Sequence, residues 1–133
     1  MKKTIRLIAL SVLLVMAVLA FASCATPNAD PDKAVAALEK AGYDAAVIDS
    51  GTLYNVYKAF GGKLEAIVSG SKGLLSGDGI TILYYETADD AKDAFEAVEE
   101  YAKNQAEKES DYEIKQSGKM IWIGHKDAVK AAA

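Results

Sequence analysis

Cysteine and histidine are nearly absent from this chain. Its 133 residues include one cysteine, Cys24, and one histidine, His125. A single cysteine excludes an internal disulfide, so the fold must be held together by its hydrophobic core. Without a cluster of histidines and cysteines, a zinc or copper site is not expected. We therefore predict no metal and no cofactor, and we assign His125 an ordinary surface or capping role near the start of the last helix.

Sequence motifs of common enzyme classes are also missing. The glycine-rich stretch GSKGLLSGDG, residues 70–79, lacks the lysine and hydroxyl that follow the second glycine of a phosphate-binding loop. Neither a G-x-S-x-G elbow nor a calcium-loop pattern occurs. Carboxylate pairs such as Asp89-Asp90 are typical of a solvated helix face. No residue is assigned a catalytic role, and a hydrolase without a recognisable motif stays open as an alternative.

The first residues have the parts of a secretory signal. A basic start at residues 2–6 precedes residues 7–22, which are apolar except for Ser11. As a helix, that run reaches about 24 Å, short of the ~30 Å hydrocarbon core of a bilayer. We therefore interpret residues 1–23 as an export signal that is not part of the folded domain.

The end of this signal, Phe21-Ala22-Ser23-Cys24, resembles the lipobox of bacterial lipoproteins, with Phe21 where that family favours leucine. In the family a diacylglycerol is attached to the cysteine sulfur, the signal is cut just before the cysteine, and the new amino terminus is often acylated. The resemblance implies lipidation of Cys24, and two acyl chains anchor a protein stably where one is marginal. The alternatives are ordinary secretion after cleavage at Ala20-Phe21-Ala22 and an uncut membrane anchor.

We divide the chain into the signal (1–23), the lipidated cysteine with a short linker (24–29) and one α+β domain (30–133). Removing the signal leaves 12 of the 15 basic residues against 19 acidic ones, so the formal net charge changes from −4 to −7. An acidic surface argues against nucleic acid and against electrostatic docking on anionic lipid. Membrane contact is therefore expected through acyl chains on Cys24. The mature part resembles the small uncharacterised lipoproteins that many bacteria export.

Helical and strand patterns alternate along the domain. Asp30-Pro31 is typical of a helix start and Gly42 of a helix end. Apolar periodicity and turn residues then predict strand 45–49, helix 53–60, strands 63–70 and 79–86, helix 88–107, a hairpin over 111–124 with its turn at Ser117-Gly118, and helix 126–131. This order matches a ferredoxin-like βαββαβ core with an extra edge strand and additional N- and C-terminal helices. Strand 45–49 is expected to be buried and residues 131–133 to fray.

One face of the predicted sheet is a candidate partner or ligand surface. Side-chain alternation places Tyr112, Ile114, Ile121 and Ile123 on the face under the long helix. The second face is expected to carry five apolar side chains: Ile67, Leu83, Tyr85, Met120 and Trp122. Either the first and last helices cover this face, or it is open to a ligand, a protein partner or a second copy. Leu74 and Leu75, in the Gly/Ser-rich loop, are a further candidate unless they fold back onto the domain.

Together these features favour a small non-enzymatic binding or interaction module, lipid-anchored on the extracytoplasmic side of a bacterial membrane. A self-associating structural protein of the envelope, dimerising through the second sheet face, is the main alternative. The sequence leaves the type of envelope and the partner open.

Overall fold

The computed structural model describes residues 25–73, 78–105 and 112–133. The helices are α1 (Pro31–Lys40), α2 (Thr52–Lys58), α3 (Ala88–Gln105) and α4 (Lys126–Ala131), and the strands are β1 (Asp44–Ile48), β2 (Leu64–Ser71), β3 (Gly79–Tyr85), β4 (Tyr112–Ser117) and β5 (Met120–His125). In these ranges, no helix has the length and apolar character needed to cross a membrane. Residues 1–24, with the predicted signal and Cys24, lie outside the described residues.

The ends of α1 follow the sequence signals closely. The carboxylate of Asp30 accepts a hydrogen bond from the Asp32 amide at 3.0 Å, with Pro31 at the first helical position. At the other end Gly42 has a φ of 93°, a left-handed conformation that glycine adopts without strain. The Tyr43 amide then donates back to the Leu38 carbonyl at 3.0 Å. The chain therefore turns sharply from α1 into β1, as predicted.

The strands form one sheet in the order β1-β2-β3-β5-β4, and every neighbouring pair is antiparallel. The α+β class and the helices at both ends of the domain are confirmed. The ferredoxin-like core is not confirmed, because its βαβ units require parallel strands, whereas α2 here joins the antiparallel neighbours β1 and β2. The last strand, β5, is also interior instead of being an extra edge strand.

The turn of the β4–β5 hairpin lies one residue later than predicted. Ser117 pairs with Met120, so Gly118 and Lys119 form the turn, and Gly118 has a left-handed φ of 56°. The partner of each β4 residue moves by two positions along β5; Ile114, for example, lies opposite Ile123. Because two is the side-chain period of a strand, every side chain of the hairpin stays on its predicted face.

Helices cover both faces of the sheet, and each layer has its own core. Under α1 and α4 lies a group of buried side chains that includes Leu38, Val68, Ile80, Ile82, Tyr84, Met120, Trp122 and Val129. Under α2 and α3 lies a second group that includes Tyr57, Leu64, Ile67, Leu83, Tyr85, Val98, Ile121 and Ile123. The sheet is thus buried on both sides, which explains why its central strands are almost continuously apolar.

Candidate functional site

The five apolar residues predicted as a partner surface lie in the two cores. Met120 is 7% exposed and Trp122 2%, and Ile67, Leu83 and Tyr85 are between 0% and 1% exposed. Of the two alternatives for the second sheet face, the one in which the first and last helices cover it is confirmed. A ligand, a partner or a second copy therefore cannot reach this face while α1 and α4 stay packed.

The predicted grouping of these five residues is also wrong. In the pairing of β3 with β5, Leu83 lies opposite Ile121 and Ile82 lies opposite Trp122. Ile67, Leu83 and Tyr85 consequently face α2 and α3, while Met120 and Trp122 face α1 and α4. The prediction failed because α3 lies between β3 and the last hairpin in the chain, so no tight turn determines the register in which β3 pairs with β5. A change of that register by one residue exchanges the two faces of the strand.

Two further predicted site positions cannot be placed. Leu74 and Leu75 belong to residues 74–77, outside the described residues, as does Cys24. On either side of that gap, the Lys72 amide donates to the Asp78 carbonyl at 3.0 Å, which holds the ends of the β2–β3 connection together.

The segment that follows Cys24 is packed against the domain. The Asn28 amide donates to the Ala132 carbonyl at 2.8 Å, and the Tyr84 hydroxyl donates to the Asn28 carbonyl at 2.8 Å. Pro27 is buried, and Ala25 is half-buried against the α1/α4 core. Residues 25–29 are therefore part of the folded body, although the sequence suggested a plain linker.

The carboxyl end of the chain takes part in the same contact. Residues 131–133 were expected to fray, but Ala132 is fully buried in the α1/α4 core. Its amide donates to the Ala128 carbonyl at 3.0 Å, and its carbonyl accepts from Asn28. The small alanine side chains allow α4 to lie close to the sheet and to the segment before α1.

Two large hydrophobic side chains of the described residues are exposed, one in β1 and one at the start of α2. Val47 is 41% exposed and Leu53 is 36% exposed. The expectation that strand β1 is buried is wrong, because among the described residues β1 lies at the edge of the sheet and pairs only with β2. Its short length and the aspartates at its two ends, Asp44 as its first residue and Asp49 just after it, were the available signals of an edge strand.

A polar cluster lies at the opposite end of the sheet from the β4–β5 turn. The Tyr43 hydroxyl contacts both carboxylate oxygens of Asp78 at 2.9 Å, and His125 Nδ1 lies 3.7 Å from Asp78 Oδ1. Lys72 Nζ lies 4.8 Å from the centre of the Tyr43 ring. Burial, followed by the hydrogen bond to Asp78, raises the pKa of Tyr43 to about 12. The tyrosine therefore stays protonated and connects the α1–β1 turn to Asp78, the residue just before β3.

The expected capping role of His125 is confirmed. Its Nδ1 accepts a hydrogen bond from the Asp127 amide at 3.4 Å at the start of α4. In the described ranges, no group of three or more histidine, cysteine and acidic residues is arranged to hold a metal ion. Asp90, one of the paired carboxylates considered above, caps α3 with Thr87, whose Oγ1 accepts from the Asp90 amide at 3.1 Å. His125 and the Thr87–Asp90 pair are therefore explained by their role in capping the helices that follow them.

An aromatic group lies on the α2/α3 side of the sheet. The rings of Tyr57, Phe60 and Tyr101 contact one another with centroid separations between 5.3 and 5.9 Å, mostly edge to face. In the same core, the buried Tyr85 hydroxyl has no hydrogen-bond partner among the described protein atoms. Burial, followed by the neighbouring Tyr57, raises the pKa of Tyr85. The sequence carries no signal for an unsatisfied hydroxyl at this position.

Comparison with known proteins adds no relatives. No family model matches the chain, and neither the curated proteins nor the solved structures include one that is detectably similar to it.

Proposed function

We propose that this protein is a non-enzymatic interaction module, lipid-anchored through Cys24 on the extracytoplasmic face of a bacterial membrane, and that it binds an extended protein segment along β1. The lipobox-like signal supports the anchor. The exposed apolar edge at β1 supports the binding mode and is the observation that carries the proposal. The second sheet face, with Met120 and Trp122, is not available as a contact surface because α1 and α4 bury it.

The two edges of the sheet differ in chemistry. Proteins protect exposed strand edges with charged side chains, and β4 carries Glu113 and Lys115, which form a 3.4 Å ion pair. Residues 45–48 of β1, by contrast, are uncharged, and Val47 is exposed among them. An edge of this kind can accept a further strand, whose main chain supplies affinity and whose alternate side chains supply specificity.

The charges around β1 indicate the kind of segment that fits. Asp44 and Asp49 are exposed at the two ends of the apolar stretch, roughly 17 Å apart in extended chain. A complementary strand therefore has a small apolar centre and a lysine or arginine near each end. The overall charge of −7 expected after signal removal favours a basic partner in the same way.

The same charges disfavour pairing of β1 with a second copy of itself. In an antiparallel pair centred on Ala46, Asp44 of one copy lies opposite Ile48 of the other, so neither aspartate gains a basic partner. The symmetry of a homodimer repeats this at the other end. Two copies that each carry the expected net charge of −7 also repel each other. We therefore assign the edge to a different protein and not to a homodimer.

Titration with designed peptides tests this proposal. Full-length protein in detergent micelles is titrated with an eight-residue peptide of alternating valine and threonine with lysines at both ends, and binding is followed by calorimetry. We expect saturable binding that Val47→Lys abolishes, because a charge is then placed within the apolar strip. Ser117→Lys, which adds the same charge to the exposed end of β4 on the opposite edge, serves as the matched control and should leave binding unchanged. Equal binding by the wild-type protein and Val47→Lys would contradict the assignment of β1.

Mass spectrometry of the native protein tests the anchor separately. Diacylglycerol on residue 24, with residues 1–23 removed, is the expected result. An unmodified Cys24 or a retained signal would contradict the lipid anchor but would leave the chemistry of the β1 edge untouched.

A further inference from the structure

The point at which the chain reaches the membrane is determined by the packing of residues 25–30. Asn28 is held through both backbone groups, its amide by Ala132 and its carbonyl by Tyr84, each at 2.8 Å. Its side-chain oxygen also accepts from the Asp30 amide at 2.9 Å, just before α1 begins. The segment is therefore tied to α4, to β3 and to the start of α1 within three residues.

Little free chain remains between this packed segment and the predicted acylation site. Ala25 already contacts the α1/α4 core, and it is the residue next to the predicted acylation site in the sequence. One peptide unit, which spans about 3.8 Å between Cα atoms, is therefore the only chain between the packed segment and that site. A flexible linker would allow the domain to tumble above the bilayer. A linker that is packed against the domain holds the domain at a defined position relative to the acyl chains.

We infer that the anchored protein sits on the bilayer in one orientation, with the α1/α4 side of the sheet towards the lipid and α3 on the far side. This inference rests on the proposed acylation of Cys24. The lipid-facing surface consists of the packed segment 25–29, the exposed residues at the end of α4, such as Lys130, and the beginning of α1. Since Ala25 lies on the α1/α4 side of the sheet, α3 is separated from the anchor by the sheet and two core layers.

Depth measurements with nitroxide labels test the orientation. The chain has one cysteine, and acylation blocks its thiol, so single cysteines introduced elsewhere can be labelled selectively. Lys130→Cys on α4 and Lys92→Cys on the exposed side of α3 form a matched pair of lysine replacements. The full-length lipidated protein is reconstituted in vesicles of phosphatidylethanolamine and phosphatidylglycerol. Relative to position 92, we expect the label at position 130 to gain accessibility to oxygen and to lose accessibility to a water-soluble nickel chelate.

A spacer variant provides the control for the packed segment. A Gly/Ser insert of about 12 residues between Ala25 and Thr26 has an r.m.s. span of roughly 20 Å, which releases the body from the anchor. The difference between positions 130 and 92 should then be lost. Equal accessibility at both positions, in protein that mass spectrometry shows to be acylated at residue 24, would overturn the orientation while leaving the anchor intact. Protein without acyl groups would instead contradict the proposed function, and the orientation with it.

Discussion

The indole Nε1 of Trp122 donates a hydrogen bond to Glu113 Oε1 at 3.2 Å, across the β4–β5 pair. Trp122 is 2% exposed, so its ring is buried under α4 while its polar edge reaches a carboxylate at the border of the sheet. Glu113 also pairs through its other oxygen with Lys115 at 3.4 Å. The contact satisfies the single polar atom of the largest side chain in the α1/α4 core.

Replacing Trp122 with serine should therefore destabilise the domain strongly. The change removes a large buried side chain and leaves a cavity, for which losses of about 3–5 kcal/mol are typical. Chemical denaturation followed by circular dichroism measures the loss. Leu53→Ser at the exposed start of α2 is the control and should stay within about 0.5 kcal/mol of wild type, as is usual on surfaces. Comparable stabilities for the two variants would show that α1 and α4 do not cover the sheet.

The neighbouring tyrosines of β3 should respond in opposite ways to loss of their hydroxyl groups. Tyr84→Phe removes the donor to the Asn28 carbonyl and should cost about 1 kcal/mol. Tyr85→Phe removes a buried hydroxyl without a partner among the described atoms, so stability should be unchanged or higher by about 1 kcal/mol. Thermal and chemical denaturation of both variants measures the contrast. Hydrogen exchange at the Asn28 amide should become faster in Tyr84→Phe and not in Tyr85→Phe, and the reverse pattern would contradict the packing of residues 25–29.

Gly124 in β5 should tolerate no side chain. A Cβ built there would lie 2.8 Å from the Gly79 carbonyl oxygen and 2.9 Å from the Ile80 Cα, both backbone atoms. Gly124→Ala should therefore destabilise the domain by about 1–3 kcal/mol through overpacking. At Gly70 in β2 the nearest atom is a terminal methyl of Leu38 at 3.1 Å, which can shift. Gly70→Ala is the matched control, and a loss as large as that at Gly124 would contradict the close approach of β3 and β5.

Alkaline pH should unfold the protein through its buried tyrosines. Burial raises the pKa of Tyr57 to about 12 from the ordinary 10.0. Below pH 10 both the folded and the unfolded chain keep this proton, and the full stability is present. Between pH 10 and 12 only the unfolded chain releases it, so the free energy of unfolding falls by up to about 1.4 kcal/mol per pH unit for this residue. Burial also raises the pKa values of Tyr43, Tyr84 and Tyr85, so these residues contribute to the same loss of stability.

Denaturation titrations at increasing pH, together with tyrosinate absorbance, follow this loss. The Tyr57→Phe variant should show a shallower decline above pH 10, because it has one fewer group that ionises only on unfolding. A stability profile that stays flat up to pH 12 would contradict the burial of these hydroxyl groups.

Local features of the fold were predictable because they depend on near neighbours in the chain. The cap at Asp30, the left-handed turn at Gly42 and the capping position of His125 all involve contacts within a few residues. The face assignments within the β4–β5 hairpin also survived a wrong turn position, since the resulting shift was even. The packing of residues 25–29 was missed because its partners, Tyr84 and Ala132, are distant in sequence.

The sequence by itself determined the order of the elements, the caps at Asp30 and Gly42, and the side chains that share a face within each hairpin, because hydrogen bonds and turns between near neighbours control these. Only the tertiary structure decided that β1 is an edge strand of the described sheet, that Leu83 faces away from Trp122, and that residues 25–29 are packed against the domain. These depend on how separated segments pack. Helix α3 connects β3 to the last hairpin and does not constrain the register between β3 and β5. That register is determined instead by the burial of apolar side chains in the two cores.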